Sequence, residues 1–284
     1  MGITRHTRIW TSAGTAALLG GLAGCSGPSE APTGPETHQE SVVNPAVPAF
    51  SEGEGEGESA GSGGEFGIDP AEAGRDPVVF LIALEVMRAH YLAGIDAFEA
   101  GDRTAGAEMF AHPISEIYID FEPVLEARAA PLFGDTMTDA SVAPYSGESD
   151  EAIAAHVADV VAAIDTASAY APEGGMSPAG VHARVLVDLV ERAALQYEVL
   201  ATNPDAHEPY LDGYGFSRAA RRYAGNHLER VAQVDPDLAL LFGQAVTTLE
   251  RAFPSATRPQ HLDGDSAAML ALAAQLQQGS DALD

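Results

Sequence analysis

Residues 76–101 are DPVVFLIALEVMRAHYLAGIDAFEAG, and this stretch decides the fold class. Asp76 and Pro77 are typical of a helix N-cap followed by a first-turn proline. Large apolar side chains then recur at spacings of three and four residues, namely Phe80, Leu84, Met87, Tyr91, Ile95 and Phe98. This periodicity predicts an amphipathic α-helix that ends near Gly101 and buries one face.

The same periodicity recurs along the rest of the chain, interrupted by prolines, glycines and capping residues. We expect further helices over about residues 104–128, 150–170, 177–203, 214–234, 238–253 and 266–278, with Pro113 as a kink in the first of these. Residues 130–147 are predicted to form a long connection. No strand-like alternation persists, so the sequence predicts an all-α fold, an antiparallel bundle of about six to seven helices.

Composition excludes several classes of function. The chain has 284 residues, a formal net charge of -28 and one cysteine, and all 14 of its basic residues are arginines. A single cysteine excludes a disulfide scaffold and a Cys-ligated metal site, and the lack of lysine excludes Schiff-base chemistry. The acidity argues against nucleic acid as a partner, because such contacts depend on basic side chains.

The N-terminus has the pattern of an export signal that ends in a lipobox. Arg5 and Arg8 precede a mildly apolar stretch, and residues 22–25 are LAGC, which contains the only cysteine of the chain. In this segment the chain resembles bacterial lipoproteins. The resemblance implies cleavage after residue 24, lipidation of Cys25 and a membrane anchor in the cell envelope, facing the periplasm. Ser26 after the cysteine favours the outer membrane if the host is Gram-negative.

Three regions follow from these patterns. Residues 1–24 are predicted to be a lipoprotein signal peptide. Residues 25–75 are predicted to be a lipidated cysteine with a disordered, acidic tether, because Gly, Pro, Ser and Glu dominate them and cannot bury a core. Residues 76–284 are predicted to be the helical-bundle domain.

One group of polar residues is placed as metal ligands would be. Glu108, His112, Glu116 and Asp120 follow one another at spacings of four, which places them in one stripe on the second predicted helix. Imidazole and carboxylate ligands suit iron, zinc or copper, and helical bundles hold such ions with inward His and Glu. The alternative is an ordinary solvated acidic stripe.

Three more histidines are metal-ligand candidates. His90, His182 and His227 each lie on or beside the apolar face of a different predicted helix. If packing brings them to His112 and Glu116, they form a His-rich metal or haem site. Otherwise, each is a core histidine satisfied by a hydrogen bond.

Residues 210–216, YLDGYGF, are predicted to be a loop, since they combine aromatic residues with turn glycines. In that case Tyr214 is a candidate for lining a ligand site. Arg218 begins the only dense basic patch and could receive a carboxylate. A loop that caps the bundle and an arginine that bridges acidic helices are the alternatives.

Two resemblances bear on the helical region. Residues 94–110 resemble a tetratricopeptide hairpin in the spacing of their small and aromatic positions, but the pattern does not recur at a period of about 34 residues, which predicts one helical hairpin and no solenoid. The export signal, the helical region and a histidine followed one turn later by a glutamate resemble the imelysin-like envelope proteins, which are associated with iron uptake. That family's motif is Gly-x-His-x-x-Glu, whereas residues 110–116 are FAHPISE, without the glycine and with the glutamate four residues after the histidine.

The sequence therefore predicts a lipid-anchored envelope protein that binds a metal ion or metal complex. The imelysin-like resemblance implies iron, or another divalent transition metal, with His112 and Glu116 as ligands and a role accessory to uptake. The alternative is a structural or interaction lipoprotein that docks an envelope protein and binds no metal. Nucleophile elbows, zinc-protease helices and phosphate loops are absent from the sequence, which favours a binding protein over an enzyme.

Overall fold

The computed structural model describes residues 67–203 and 206–283. The predicted signal peptide, Cys25 and most of the predicted tether lie outside these described residues. All regular structure within them is helical, and no strand occurs there. The helices pack around one apolar core, which confirms the predicted all-α fold and its helical-bundle architecture.

The described part of the chain contains ten α-helices in this order: α1 Pro70–Ala73, α2 Pro77–Glu99, α3 Arg103–Pro113, α4 Ile119–Ala127, α5 Gly134–Val142, α6 Asp150–Ser168, α7 Pro178–Thr202, α8 Glu208–Ala232, α9 Pro236–Ala252 and α10 Ser266–Ser280. A π-helical segment, Ile114–Tyr118, joins α3 to α4. Short 3₁₀ turns follow α5 and α10 at Ala143–Tyr145 and Asp281–Leu283.

Helix α2 is the central helix of the bundle. The Asp76 carboxylate accepts a hydrogen bond from Val78 N at 2.7 Å, so the predicted cap is present. The helix packs against α3, α6, α7 and α8. By length and composition alone α2 could cross a membrane, but 83% of its most apolar window is buried inside the bundle. Such burial is typical of the core helix of a globular domain.

Helices α2 and α3 form the predicted hairpin, joined by three residues. The two helices approach closely where glycines face each other. A Cβ added to Gly106 would lie 2.7 Å from Gly94 O, and one added to Gly94 would lie 2.6 Å from the Phe110 ring. Only glycine therefore permits this contact, which sets α3 directly against the C-terminal part of α2.

The predicted connection over residues 130–147 and the predicted loop over residues 210–216 were wrong. The predicted connection over 130–147 contains α5, whose Met137 and Ala140 face the core. The predicted loop at 210–216 lies within α8, which begins at Glu208 rather than near residue 214. The packed region also includes Ile68 and α1, which precede the predicted boundary at Asp76.

Candidate metal centre

His90 lies in the middle of α2 and is 1% exposed. Its Nδ1 lies 2.9 Å from Val86 O. Because a carbonyl oxygen only accepts hydrogen bonds, Nδ1 carries the proton and donates it. Burial lowers the pKa of His90 to about 4, so the ring is neutral at pH 7. A neutral ring protonated at Nδ1 has its lone pair on Nε2, where a metal could bind.

Helix α3 brings His112 to the same place. The two imidazole ring centroids lie 6.4 Å apart, and the rings are nearly perpendicular. The His112 side chain is 30% exposed, so it lies at the edge of the core and closes the site towards solvent.

Glu116 lies in the π-helical segment that follows Pro113. Proline lacks an N–H and its ring clashes with the carbonyl four residues earlier, which disrupts the α-helical ladder at this point. The wider π turn continues the helix, and such segments are frequent at functional sites. Glu116 Oε2 lies 3.8 Å from His90 Nε2, and Glu116 Oε1 lies 3.9 Å from His112 Nδ1.

Helix α8 adds two carboxylates to the other side of the site. Asp212 Oδ1 lies 3.8 Å from His90 Nε2, and Glu208 Oε1 lies 3.9 Å from His112 Nδ1. The helix can approach because of Gly215, where an added Cβ would lie 2.5 Å from Ala89 O. The Glu208 side chain is 66% exposed, whereas Asp212 is 8% exposed.

The spacing of these atoms suits an intervening cation. Two atoms bound to one ion at about 2.0–2.2 Å lie roughly 3 to 4.4 Å apart. Ligand atoms from His90, His112 and Glu116 all lie within 4.8 Å of one another. Separations of 3.8–3.9 Å are too long for direct hydrogen bonds but fall within the range for shared ligands.

Electrostatics also favour a cation at this position. Asp212 Oδ1 is buried and makes no hydrogen bond with the described residues. Burial raises the pKa of the Asp212 carboxyl well above its usual value, and the neighbouring Glu208 and Glu116 carboxylates raise it further. A bound cation would relieve this repulsion, because it offers positive charge where the carboxylates and the His90 lone pair meet.

The structure separates the predicted stripe into two parts. Glu108 and Asp120 are exposed, and neither belongs to the group formed by His90, His112 and Glu116. The stripe assumed an uninterrupted α-helix. Asp120 lies beyond the π-helical segment, which changes the angle per residue, so a spacing of four no longer keeps Asp120 in line with His112. Glu108 precedes that segment on α3, and its side chain is exposed.

His182 and His227 are not brought to this centre. They lie in a cavity of about 520 Å³ between α2, α6, α7 and α8, whose lining does not include His90 or His112. Their rings stack with centroids 4.0 Å apart, and His182 Nδ1 shares a 2.7 Å hydrogen bond with Tyr223 Oη. Burial lowers the pKa of His182 to about 4.

The predicted ligand-lining residues Tyr214 and Arg218 both contact Asp96 on α2. Both lie on α8 rather than in or after a loop. Tyr214 Oη donates a 2.6 Å hydrogen bond to Asp96 Oδ2, and Arg218 Nε lies 3.0 Å from the same oxygen. Together they tie α8 to α2, which agrees with the bridging alternative for the arginine.

Asp212 and Glu208 were missed as candidate site residues. Their glycine-rich surroundings were interpreted as a loop. The available signal was their spacing of four, which on a helix puts both carboxylates on one face. Recognising it required Gly213 and Gly215 to be interpreted as close-packing residues of a helix.

Fold and site together define an all-helical protein with a candidate histidine–carboxylate metal centre. Comparison with family models, with curated proteins and with solved structures finds no match for the chain. The lipobox and imelysin-like resemblances therefore stay predictions.

Proposed function

We propose that this chain is a lipid-anchored, cell-envelope helical protein that binds a divalent transition metal, with iron as the first candidate. The observation that carries the proposal is the meeting of His90, His112 and Glu116, whose ligand atoms lie within 4.8 Å of one another. His90 lies on α2, His112 on α3 and Glu116 in the π-helical segment. The three side chains therefore come together through the packing of α3 and this segment against α2.

The donor set supports a transition metal over calcium or magnesium. Imidazole nitrogens suit iron, zinc, copper and nickel, whereas calcium and magnesium prefer sites made of oxygen alone. No thiolate competes, because the only cysteine of the chain is Cys25. Nitrogen and carboxylate ligands together are typical of iron and zinc sites.

The membrane attachment in this proposal depends on Cys25 and the lipobox sequence before it. Lipidation would hold the bundle at an envelope membrane, where a metal-binding domain could pass its ion to an uptake system. This role is that of a binding or accessory protein. The alternative remains a lipoprotein that docks another envelope protein through its acidic helices.

Metal titration tests the proposal. The protein, purified without a His tag, is titrated with Fe²⁺ under anaerobic conditions and with Zn²⁺, and bound metal is measured by elemental analysis. We expect stoichiometric binding by the wild type. In the double variant His112→Ala, Glu116→Ala, loss of two ligands should weaken binding by at least about 100-fold, more than loss of a residue that merely orients a ligand.

The control is the double variant His182→Ala, His227→Ala, which removes one imidazole from α7 and one from α8. This variant should keep wild-type affinity, because its imidazoles lie in the separate cavity. A folded wild-type protein that takes up neither Fe²⁺ nor Zn²⁺ would overturn the proposal and leave the interaction lipoprotein. Equal losses in both double variants would also contradict it.

A further inference from the structure

The two oxygens of Glu116 face different histidines. Oε2 lies 3.8 Å from His90 Nε2, while Oε1 lies 3.9 Å from His112 Nδ1. A carboxylate with one oxygen directed to each of two nitrogen ligands has the arrangement of a bridge between two ions. Glu116 lies between the two imidazoles rather than beside either one.

Each histidine also has an outer carboxylate of its own. Asp212 Oδ1 lies 3.8 Å from His90 Nε2, and Glu208 Oε1 lies 3.9 Å from His112 Nδ1. Both outer carboxylates come from the first turns of α8, one helical turn apart. The site therefore divides into two halves, each with one imidazole, one outer carboxylate and one oxygen of Glu116.

One ion does not account for both halves. Ligands on opposite sides of a single ion lie at most about 4.4 Å apart. The group whose ligand atoms all lie within 4.8 Å of one another contains His90, His112 and Glu116, but neither Asp212 nor Glu208. A single ion at the centre of that group would leave the outer carboxylates unused. Asp212 Oδ1 would then stay buried with no hydrogen bond to the described residues.

The charge of the site favours a second ion. The carboxylates of Glu116, Asp212 and Glu208 lie 3.8–3.9 Å from nitrogens of the two imidazoles. Three carboxylates carry more negative charge than one divalent ion carries positive charge, and such an imbalance is costly in a partly buried place. Two divalent ions carry one more positive charge than the three carboxylates carry negative charge. A bound hydroxide could balance that extra charge.

We propose that the site binds two divalent metal ions bridged by Glu116, the first held by His90 and Asp212 and the second by His112 and Glu208. This inference rests on the proposed metal-binding function and adds the number of ions and two further ligands. Paired metals in proteins lie about 3.5–4 Å apart, and helical bundles build carboxylate-bridged pairs from facing helices.

Equilibrium dialysis against Zn²⁺ tests the proposal, with an excess of Mg²⁺ to occupy weak carboxylate sites on so acidic a chain. Bound zinc is measured by elemental analysis of the full chain. The wild type should bind two ions. Asp212→Asn and Glu208→Gln should each bind one, because each removes the outer ligand of one position only.

Glu108→Gln is the matched control, since Glu108 is an exposed acid one turn before His112 on the same helix. It should still bind two ions. One ion in the wild type would overturn the paired site while leaving the proposed function intact. No bound ion would overturn both. Two ions in Asp212→Asn or Glu208→Gln would contradict the ligands assigned here.

Each variant is checked for folding by circular dichroism before dialysis. Electron paramagnetic resonance of the Mn²⁺-loaded protein provides a second measurement that does not depend on the stoichiometry. Two bridged Mn²⁺ ions should give an exchange-coupled spectrum in the wild type, and Asp212→Asn should give the spectrum of an isolated ion. An isolated-ion spectrum in the fully loaded wild type would contradict the bridge.

Discussion

Two histidine pairs lie in this bundle, and their surroundings are opposite. His90 and His112 face the carboxylates of Glu116, Asp212 and Glu208 at 3.8–3.9 Å. His182 and His227 stack on each other with ring centroids 4.0 Å apart, and two acids that line their cavity, Glu85 and Asp165, pair with arginines.

The partners in the second region are well defined. Arg88 Nε lies 3.0 Å from Glu85 Oε2, and Arg88 Nη2 lies 2.8 Å from Asp165 Oδ1. Arg222 Nη2 lies 2.8 Å from the other oxygen of Asp165. Removing one partner of such a buried pair is strongly destabilising, because it leaves the other charge without compensation. In the first region the carboxylates lie 3.8–3.9 Å from imidazole nitrogens, and this difference separates a candidate metal site from a structural network.

The largest effect on stability is expected from Arg88→Met. Arg88 is 2% exposed, and its removal leaves Glu85 buried without its partner. We expect the free energy of unfolding to fall by about 3–5 kcal/mol. Urea denaturation of the wild type and the variant measures this difference in the free energy of unfolding. The control Arg221→Met removes an exposed pair with Glu250 and should cost about 1 kcal/mol or less. Equal losses would show that burial does not set the strength of these pairs.

Glycine contacts distinguish the two ends of α8. Gly215 contacts Ala89, next to His90, and an added Cβ would lie 2.5 Å from a backbone oxygen there. Gly215→Ala should lower the free energy of unfolding by about 1–3 kcal/mol, because the backbone must shift. Gly225, near His227, has open space around it. Gly225→Ala should raise the same quantity by about 0.5–1 kcal/mol, since alanine favours helix. A loss of stability in both variants would contradict the close approach at Gly215.

Asp212→Asn should stabilise the metal-free protein. The substitution removes a buried carboxylate that has no hydrogen bond to the described residues and faces other carboxylates. At pH 7 with EDTA we expect a gain of about 1–2 kcal/mol in the free energy of unfolding. Asp165→Asn, in the second region, should instead lose stability because Asp165 binds two arginines. A loss in both variants would mean that Asp212 has a structural role.

The last effect concerns the dependence of stability on pH. The pKa of folded His182 is lowered from 6.5 to about 4, first by burial and then by the charges of His227 and Arg230. Between pH 4 and pH 6.5, His182 is protonated in the unfolded chain and neutral in the folded chain. Stability should therefore fall as pH falls from 6.5 to 4, by less than about 1.4 kcal/mol per pH unit for this residue.

Denaturation of the metal-free protein across this pH range measures the effect. His182→Asn should show a shallower dependence of the free energy of unfolding on pH than the wild type, whereas Gly225→Ala should keep the wild-type dependence. Superimposable pH profiles for His182→Asn and the wild type would mean that His182 titrates alike in the folded and unfolded chains.

Local signals predicted much of the fold. Polar caps followed by apolar periodicity placed the starts of α2, α6 and α7, at Asp76, Ser149 and Ser177. Helix α5 was missed because Pro and Gly in residues 130–147 are typical of loops. The helix also has only two buried side chains, so its apolar periodicity is weak. The start of α8 was missed because its glycines are packing residues and not turn residues.

The candidate site was predicted only in part. His112 and Glu116 lie close in sequence, so their spacing alone brought them into one group. The sequence did not distinguish His90 from His182 and His227, since each is a histidine on or beside the apolar face of a predicted helix. Asp212 contacts this site from a distant part of the chain, and no local pattern relates it to His90.

The sequence by itself determined the helices, their caps, the absence of lysine and the lack of any cysteine beyond Cys25. These properties follow from residue types and from their spacing along one helix. Only the tertiary structure decided which histidines meet carboxylates and which meet arginine-paired acids. The physical reason is that contacts between helices depend on how closely and at which residues the helices pack, as at Gly215 against Ala89. Periodicity within one helix identifies the buried face but not the residues that it will meet.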